Sequence, residues 1–469
     1  MPDTPQPRSL QELLDHIPNL VDHLYNQPLT LLGTFPEVPP EFTNWRDEQH
    51  AWRETVALLD QTYHMTNLYL SGPDALRLLE RVGVNRFRGF LPGQAKQLVA
   101  VSPEGYVIGD GILFYLPDGR LKLVSRPGIT NYVRFQAETG GYDVAVAVDQ
   151  WSVQDPGRPR TVYRYELQGP RAPDLLEALH GGPLPAVGYF RIGTLDVAGR
   201  RVWFLRHGMA GVPGAELFGP WEDAAAVKAA ILEIGSRFGL VRVGAKAYVT
   251  SGIEGVGWIP SPVPAIYTSP ALRAYREWLV PTSEEATGSL GGSFYHPDIT
   301  AYYFTPWELG YGHLIHFDHD FIGRQALEQR AGDRHRQKVT LVWNGDDVAR
   351  AVATMLHEPP GRRAKFIDWP LPRYALWQYD AVSSLRGDPV GVSTTCGYVS
   401  NASAILSLAV VDPDFSRPGT EVVVHWGEPH GGSQKPTVER HVPFDIRATV
   451  APVPYAEAAR RYLQAARGH

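Results

Sequence analysis

The stretch LSGPDALRLLE, Leu70–Glu80, decides how this chain is read, because it returns as LQGPRAPDLLE at Leu167–Glu177. Both copies follow L-x-G-P-x-A-x-x-L-L-E: an apolar strand end, a Gly-Pro turn, then a helix with an apolar i, i+3, i+4 stripe. Two copies are too few for a solenoid. They predict two similar α+β subdomains facing each other, and a crevice between such units is a common ligand site. Strand-like runs follow each copy, at 96–102, 106–116 and 120–125 after the first and at 194–205 after the second.

Working outward, Ser9-Leu10-Gln11-Glu12 is a capping-box pattern opening a short helix that Pro18 should bend or stop. A Pro-rich connector over 35–40 leads to a second helix, expected over 44–59, and helical periodicity returns at 220–238 and 320–330. From Gln337 the texture changes to short β-rich runs such as KVTLVW, AILSLAVV and EVVVHW. These predict a C-terminal β-barrel or sandwich with a helical insertion over 346–371. The expected division is an N-terminal helix and Pro-rich lead (1–43), an α+β region of two interleaved subdomains (44–335, the second roughly 150–245) and the barrel (336–469).

At 469 residues the chain exceeds one ordinary domain. A net charge of −6 offers no basic footprint for nucleic acid. The single cysteine, Cys396, excludes a disulfide framework, a Cys-rich zinc site and a four-cysteine cluster, and reads as a buried spectator. MPDTPQPRS has no secretory pattern and no apolar run approaches a membrane span, so a soluble cytoplasmic protein is expected. The 12 tryptophans and 22 tyrosines suggest aromatic-lined cavities. P-loop, Rossmann, nucleophile-elbow and His-Glu-x-x-His patterns are missing from the sequence, which disfavours the enzymes built on them.

Several stretches carry candidate chemistry. YVIGDGILFY, Tyr106–Tyr115, sets Asp110 between two glycines inside a strand whose flanking turns are already placed at 102–105 and 117–119. Glycine inside a strand marks a bulge or a close ligand approach, which makes Asp110 a site candidate. RHGMAGVPGAE, Arg206–Glu216, delivers a carboxylate able to accept two parallel hydrogen bonds from a heterocycle. Arg126 ends the strand that should pair with the Asp110 strand, and could clamp a carboxylate bidentately. His316, Asp318 and Asp320 would share one strand face as a metal cluster, but Asp320 reads better as the cap of the helix FIGRQALEQR. Asn344 reads as a helix cap, and His425, His430 and His441 as surface residues.

Taken in order, the motifs resemble the aminomethyltransferase (T-protein) family. They are His64-Met65 with Leu70-x-Gly72-Pro73-x-Ala75, Gly105-x-Val107-Ile108-x-Asp110, Gly211-x-Pro213-Gly214-x-Glu216, Thr305-Pro306-x-Glu308-x-Gly310 and Asp320-Phe321-Ile322-Gly323-Arg324-x-Ala326-Leu327. The whole chain is most similar to the branch that demethylates lignin-derived methoxybenzoates such as vanillate, 3-O-methylgallate and syringate. That match is carried by Phe42-x-Asn44-Trp45-Arg46, Gln61-Thr62-x-His64-Met65, Gly257-Trp258-Ile259-Pro260-Ser261-Pro262 and Trp343-Asn344-Gly345-Asp346-Asp347.

The resemblance implies the T-protein-like folate-binding fold of two α+β subdomains plus a C-terminal β-barrel. It implies methyl transfer to N5 of tetrahydrofolate, with no metal, haem or flavin. It also implies roles: Asp110 near N5, Glu216 on the pterin edge with Trp258 as a wall, Arg126 on the benzoate carboxylate, and His64 and Gln61 beside the ring. Tyr248 would sit at the ether oxygen as acid or oxyanion donor, since tyrosine at ~10 suits a phenol leaving group. Lys246 and Ala247 depart from the Gly-Ala-Arg-Asp of T-proteins, which argues against a glycine-cleavage role and a lipoyl-carrier partner. The alternatives are folate-dependent transfer from a small amine or sulfonium, and a non-catalytic folate-binding protein.

Overall fold

The computed structural model describes residues 7–28, 35–150, 157–260, 262–432, 435 and 437–467, so Ser261 of the expected motif lies outside the described residues. Both copies of the repeated motif fold alike: strand Thr66–Ser71 into helix Ala75–Val82, and strand Val162–Gln168 into helix Ala172–His180. The turn glycines explain why the pattern recurs. Gly72 and Gly169 sit at φ +120° and +145°, and a Cβ on either would stand 2.5 Å from Asp143 O or 2.3 Å from Thr55 O. Only glycine meets both the backbone angle and the close approach.

Each copy serves its own sheet. The first holds five antiparallel strands in the order Gln94–Val101, Val107–Tyr115, Leu121–Ser125, Thr66–Ser71, Ala145–Asp149. The second holds six, Leu240–Val243, Val56–Asp60, Val162–Gln168, Gly214–Pro220, Arg200–Leu205 and Ile192–Val197. Their edges meet where Ala95 N donates to Phe190 O at 2.9 Å and Ile192 N to Gly93 O at 2.8 Å. Lys122 of the first sheet braces the junction: its Nζ lies 4.1 Å from the ring of Phe114 and 3.9 Å from that of Phe218, on the second sheet. Behind the sheets a closed barrel of six strands, starting with Gln337–Trp343, forms the C-terminal unit. The whole is an α+β architecture with a terminal barrel.

Several local expectations need correction. Ser9 caps Leu10–His16 as the capping box requires, but beyond Pro18 a second short helix, Leu20–Tyr25, starts on Asn19. The helix expected over 44–59 stops at Glu54, and Val56–Asp60 is instead a strand buried at every position. The run at 194–205 is a hairpin, Ile192–Val197 with Arg200–Leu205, turning on Ala198 and Gly199 at φ 52° and 71°. Asp320 caps nothing: the helix is Arg324–Arg330, begun on left-handed Gly323, while Asp320 pairs with Arg81 at 2.7 Å. The segment around His316 is not a strand, and Asp318 pairs with Arg86 at 2.8 Å.

In the insertion, Asn344 does cap a helix, but it spans only Gly345–His357. His441 is buried, not superficial, and its Nε2 accepts from Glu428 N at 2.8 Å; His425 is half-buried against Asp445 and Ser383. The side chain of His430 lies outside the described residues. Cys396 is buried in the barrel.

The turn geometry yields a stability test. Gly169→Ala forces strained backbone and a collision with Thr55, and should cost about 1–3 kcal/mol or more. Gly181→Ala, also at positive φ but with nothing within 4 Å of the added Cβ, should cost less. Denaturant unfolding of the two variants checks the order.

Candidate active site

Between the two sheets lies a cavity of about 470 Å³, large enough for two ring systems. Gln61, Asp110, Arg164, Glu216, Tyr248 and Trp258 line it. The strand Val107–Tyr115 is continuous, with no turn at Asp110. Its glycines are explained by packing: a Cβ on Gly109 would meet Ile129 at 3.0 Å, and one on Gly111 would meet Ser125 Cβ at 2.8 Å. Gly111 thus lets the neighbouring strand's end close in, and Ser125 Oγ donates to Asp110 O at 2.5 Å.

The Asp110 carboxylate is 4 % exposed. Its Oδ2 accepts from Trp258 Nε1 at 3.0 Å, from Tyr311 Oη at 2.9 Å and from Gln97 Nε2, while Oδ1 has no donor among the described residues. Burial outweighs these three hydrogen bonds and pushes its pKa up to about 6.

Glu216 stands on the facing sheet, 2 % exposed. Arg164 forks onto it, Nε to Oε1 at 2.7 Å and Nη2 to Oε2 at 2.9 Å, and His207 Nε2 lies 3.3 Å from Oε2. Burial opposes the charge, yet Arg164 and His207 hold this carboxyl well below the usual range. Glu216 is an anion at any working pH.

Tyr248 is carried by the helix Ala245–Gly255. The Pro-rich lead fixes the start of that helix: Ala245 N donates to Pro39 O at 3.0 Å, Lys246 N to Pro40 O at 3.1 Å and Gly244 N to Glu48 Oε2 at 2.8 Å. These bonds satisfy amides that a helix N-terminus leaves unpaired. The phenol lies 2.6 Å from His64 Nε2, and Phe35 sits edge-on to both rings at 5.3 and 6.1 Å. Burial and the nearby Glu166 raise the Tyr248 pKa well above 10, and burial with Arg164 lowers that of His64 well below 6.5. The pair is therefore neutral on both sides.

The structure brings Gln61, Asp110, Glu216, Tyr248 and Trp258 around one space, while His64 reaches it only through its bond to the Tyr248 phenol. Arg126 stands apart: its guanidinium is forked onto Glu284, with Nε at 3.3 Å from Oε1 and Nη2 on Oε2. It does share a second cavity with Asp110 and Ser125, but that space is about 20 Å³, enough for a water and not for a benzoate. The Gln61 amide is also engaged, with Nε2 on Glu166 Oε2 and Oε1 accepting from Arg164 at 3.1 Å. Among the described residues, no group of three or more His, Cys, Asp or Glu side chains is placed to hold a metal ion.

Sequence reasoning missed Arg164, Glu166, Gln97 and Tyr311. A signal for the first two existed. In VYRYELQ the polar Arg164, Glu166 and Gln168 alternate with Tyr163, Tyr165 and Leu167, and a strand with one polar and one apolar face, both buried, is lining something.

Comparison with known proteins places the chain in a family. Residues 28–256 match the family model described as GCVT N-terminal domain. The chain is 44% identical to syringate O-demethylase of Sphingobium sp. (strain NBRC 103272 / SYK-6), covering 97% of each chain. It is 31% identical to sesamin methylene transferase of Sinomonas sp. (strain No.22), over 91% of this chain and 92% of that one. The crystal structure of glycine cleavage system aminomethyltransferase T from Bartonella henselae shares the fold, with TM-score 0.60 at 17% identity over 92% of this chain and 95% of that one. The chain belongs to the GCVT aminomethyltransferase family.

Proposed function

We propose that this chain is a tetrahydrofolate-dependent aryl O-demethylase, acting on a methoxylated hydroxybenzoate such as syringate, vanillate or 3-O-methylgallate. The products are the corresponding phenol and 5-methyltetrahydrofolate. The observation that carries the reading is one cavity lined by Tyr248, whose phenol is bonded to a neutral His64, and by two differently tuned carboxylates, Glu216 and Asp110. The 44% identity to syringate O-demethylase supports it. The cavity's donor set fits a pterin: Glu216, held ionised by Arg164 and His207, suits a ring edge of N–H donors. Tetrahydrofolate supplies the N5 amine that takes the methyl group.

The chain's own residues then have definite tasks. With its proton on Nε2, His64 donates into Tyr248 Oη and turns the phenol O–H toward the ether oxygen. As the methyl–oxygen bond breaks, Tyr248 turns its O–H onto the leaving phenolate, as oxyanion donor or acid. Asp110, through the open Oδ1, receives the proton released by the amine. Arg126 is assigned the benzoate carboxylate, which requires it to release Glu284 and turn out of the roughly 20 Å³ space it lines. Most of the rate should come from alignment, which can supply roughly 7–11 kcal/mol. Donor and acceptor are both organic, so the route needs no metal, haem or flavin. We read the site of action as the cytoplasm, where no lipoyl carrier is required.

Three measurements test this. Anaerobic incubation with tetrahydrofolate and syringate or vanillate should give phenol and 5-methyltetrahydrofolate in equal amounts. Tyr248→Phe should lower kcat by about 10²–10⁴ with KM for folate unchanged; full activity would remove Tyr248 as acid, and folate binding without turnover in the wild type would favour a binding protein.

The second concerns pH. Because Asp110 must be ionised to accept a proton, kcat/KM should fall as pH drops through about 6. Asp110→Asn should be slow and lack that limb.

The third is Arg126→Gln, which should raise KM for the benzoate about tenfold or more and leave KM for folate alone. An equal loss for a neutral methoxyphenol would argue that Arg126 supports the fold instead.

A further inference from the structure

The run Thr305-Pro306-Trp307-Glu308-Leu309-Gly310-Tyr311 carries one of the family motifs, yet the transfer chemistry leaves it without a task. It folds into a loop closed on itself. Glu308 Oε2 accepts from Thr305 N at 2.6 Å and from Thr305 Oγ1 at 3.0 Å. Gly310 N donates to Trp307 O at 2.9 Å and Tyr311 N to Pro306 O at 2.7 Å. The approach to the first barrel strand clamps the loop from outside: Arg336 Nε donates to Glu308 Oε1 at 2.6 Å, the Trp307 and His335 rings stack at 4.2 Å, and Lys338 Nζ lies 5.8 Å from the Tyr311 ring. A loop tied at this many points presents Tyr311 in one place. It stands on the wall of the large cavity, with Oη 2.9 Å from Asp110 Oδ2.

Asp110 is the carboxylate that takes the amine proton, so which of its oxygens faces the reactants matters. Trp258, Tyr311 and Gln97 donate to Oδ2 from three different segments, and Oδ1 has no donor among the described residues. Rotating the carboxyl by half a turn would break all three bonds, so Oδ2 is pinned to the protein and Oδ1 is left for the amine. The other groups facing Asp110 are Ser125 on its backbone carbonyl, Arg126 with Glu284 and Glu285 around the small adjoining space, and Lys338 from the barrel. Burial pushes the Asp110 pKa up to about 6, and Tyr311 and Trp258 stand first among the groups that keep it from rising further. We propose that Tyr311 is a positioning residue for Asp110, held in place by the C-terminal barrel through the Arg336–Glu308 clamp. Its consequence for catalysis rests on the demethylase reading, whereas the bond itself is measurable in the resting protein.

The test reads the Asp110 carboxyl directly. Difference infrared spectra between the purified full chain and its Asp110→Asn variant isolate that one carboxyl band across a pH titration, without substrate. A hydrogen bond to a carboxylate favours its charged form, so removing the bond raises the pKa. Asp110 in Tyr311→Phe, read against the double variant that adds Asp110→Asn, should titrate about one pH unit above the wild type, the scale of one charge-assisted hydrogen bond. The low-pH limb of kcat/KM should move up with it, a further loss of about tenfold well below the pKa that narrows as the pH rises. Arg336→Gln keeps Tyr311 but frees Glu308, and should shift Asp110 the same way by less. An unmoved Asp110 in Tyr311→Phe, or a kcat/KM lowered by one factor at every pH, overturns the proposal and assigns Tyr311 to packing alone. Should Tyr311→Phe not fold, an Arg336→Gln protein whose Asp110 titrates as in the wild type overturns it instead. A wild type that converts no methoxybenzoate, with the Asp110 shift present, sinks the demethylase reading and leaves the positioning standing.

Discussion

Glu166 and Glu216 are register mates on adjacent antiparallel strands, and both are almost completely buried. Two like charges directly opposite each other on a sheet repel, and burial multiplies the cost. The surrounding residues answer that constraint. Arg164 forks onto Glu216, His207 stands 3.3 Å from Glu216 and 3.7 Å from Glu166, and Met209 N and Gln61 Nε2 donate to Glu166. Burial would discharge His207, but the two carboxylates raise its pKa, while burial and Glu216 raise that of Glu166. Buried ion networks seldom add net stability over apolar residues of the same size. The opposite face of the same strand is built that way, with Tyr163, Tyr165 and Leu167 in the apolar core of the second subdomain. The polar face is thus better explained by what it holds than by what it stabilises.

The same network sorts the protonation states of the cavity. Arg164 disfavours a proton on His64, and Glu166 disfavours loss of one from Tyr248, each adding to burial. Across the space, Asp110 has no cation among its hydrogen-bond partners, only Trp258, Tyr311 and Gln97. One carboxylate is therefore fixed as an anion and the other titrates near 6. Environments that push like groups apart are how acid and base tasks are divided at a single pH.

What the sequence made legible was local. The repeated Gly-Pro turn is readable because each glycine answers a backbone angle and a clash that no other residue tolerates. The C-terminal barrel is readable from its short β-branched runs. The misreadings have the same physical origin in reverse. Val56–Asp60 is buried on both faces, so it lacks the alternation that separates a strand from the tail of the preceding helix. The hairpin at Ala198-Gly199 puts a non-glycine at positive φ, which composition does not announce. Asp320 looked like a cap because the true start, left-handed Gly323, is set by packing on Ser102 O. In the site, residues inside recognisable motifs were named, whereas Arg164 and Tyr311 act through partners far away in sequence and Gln97 through the neighbouring strand of its hairpin. Arg126 shows the complementary limit, since nothing near it in sequence reveals that Glu284 already occupies its fork.

The two ends of the cavity are positioned by different means. Glu216, Arg164 and Asp110 stand on strands, where register fixes each side chain against its neighbours and a one-residue slip would turn it away. Tyr248 stands on a helix whose first turn is bonded to Pro39, Pro40 and Glu48, and its ring contacts Phe35 and His64. Those partners lie in the lead, in the helix Trp45–Glu54 and in the connection between the sheets, not in either repeat. A change in the lead can therefore shift the aromatic end by moving Phe35 or the start of the Tyr248 helix, while the strand register that builds the Glu216–Arg164 wall stays as it is. Sheet register fixes the carboxylate wall, whereas the position of Tyr248 depends on whatever packs on its helix.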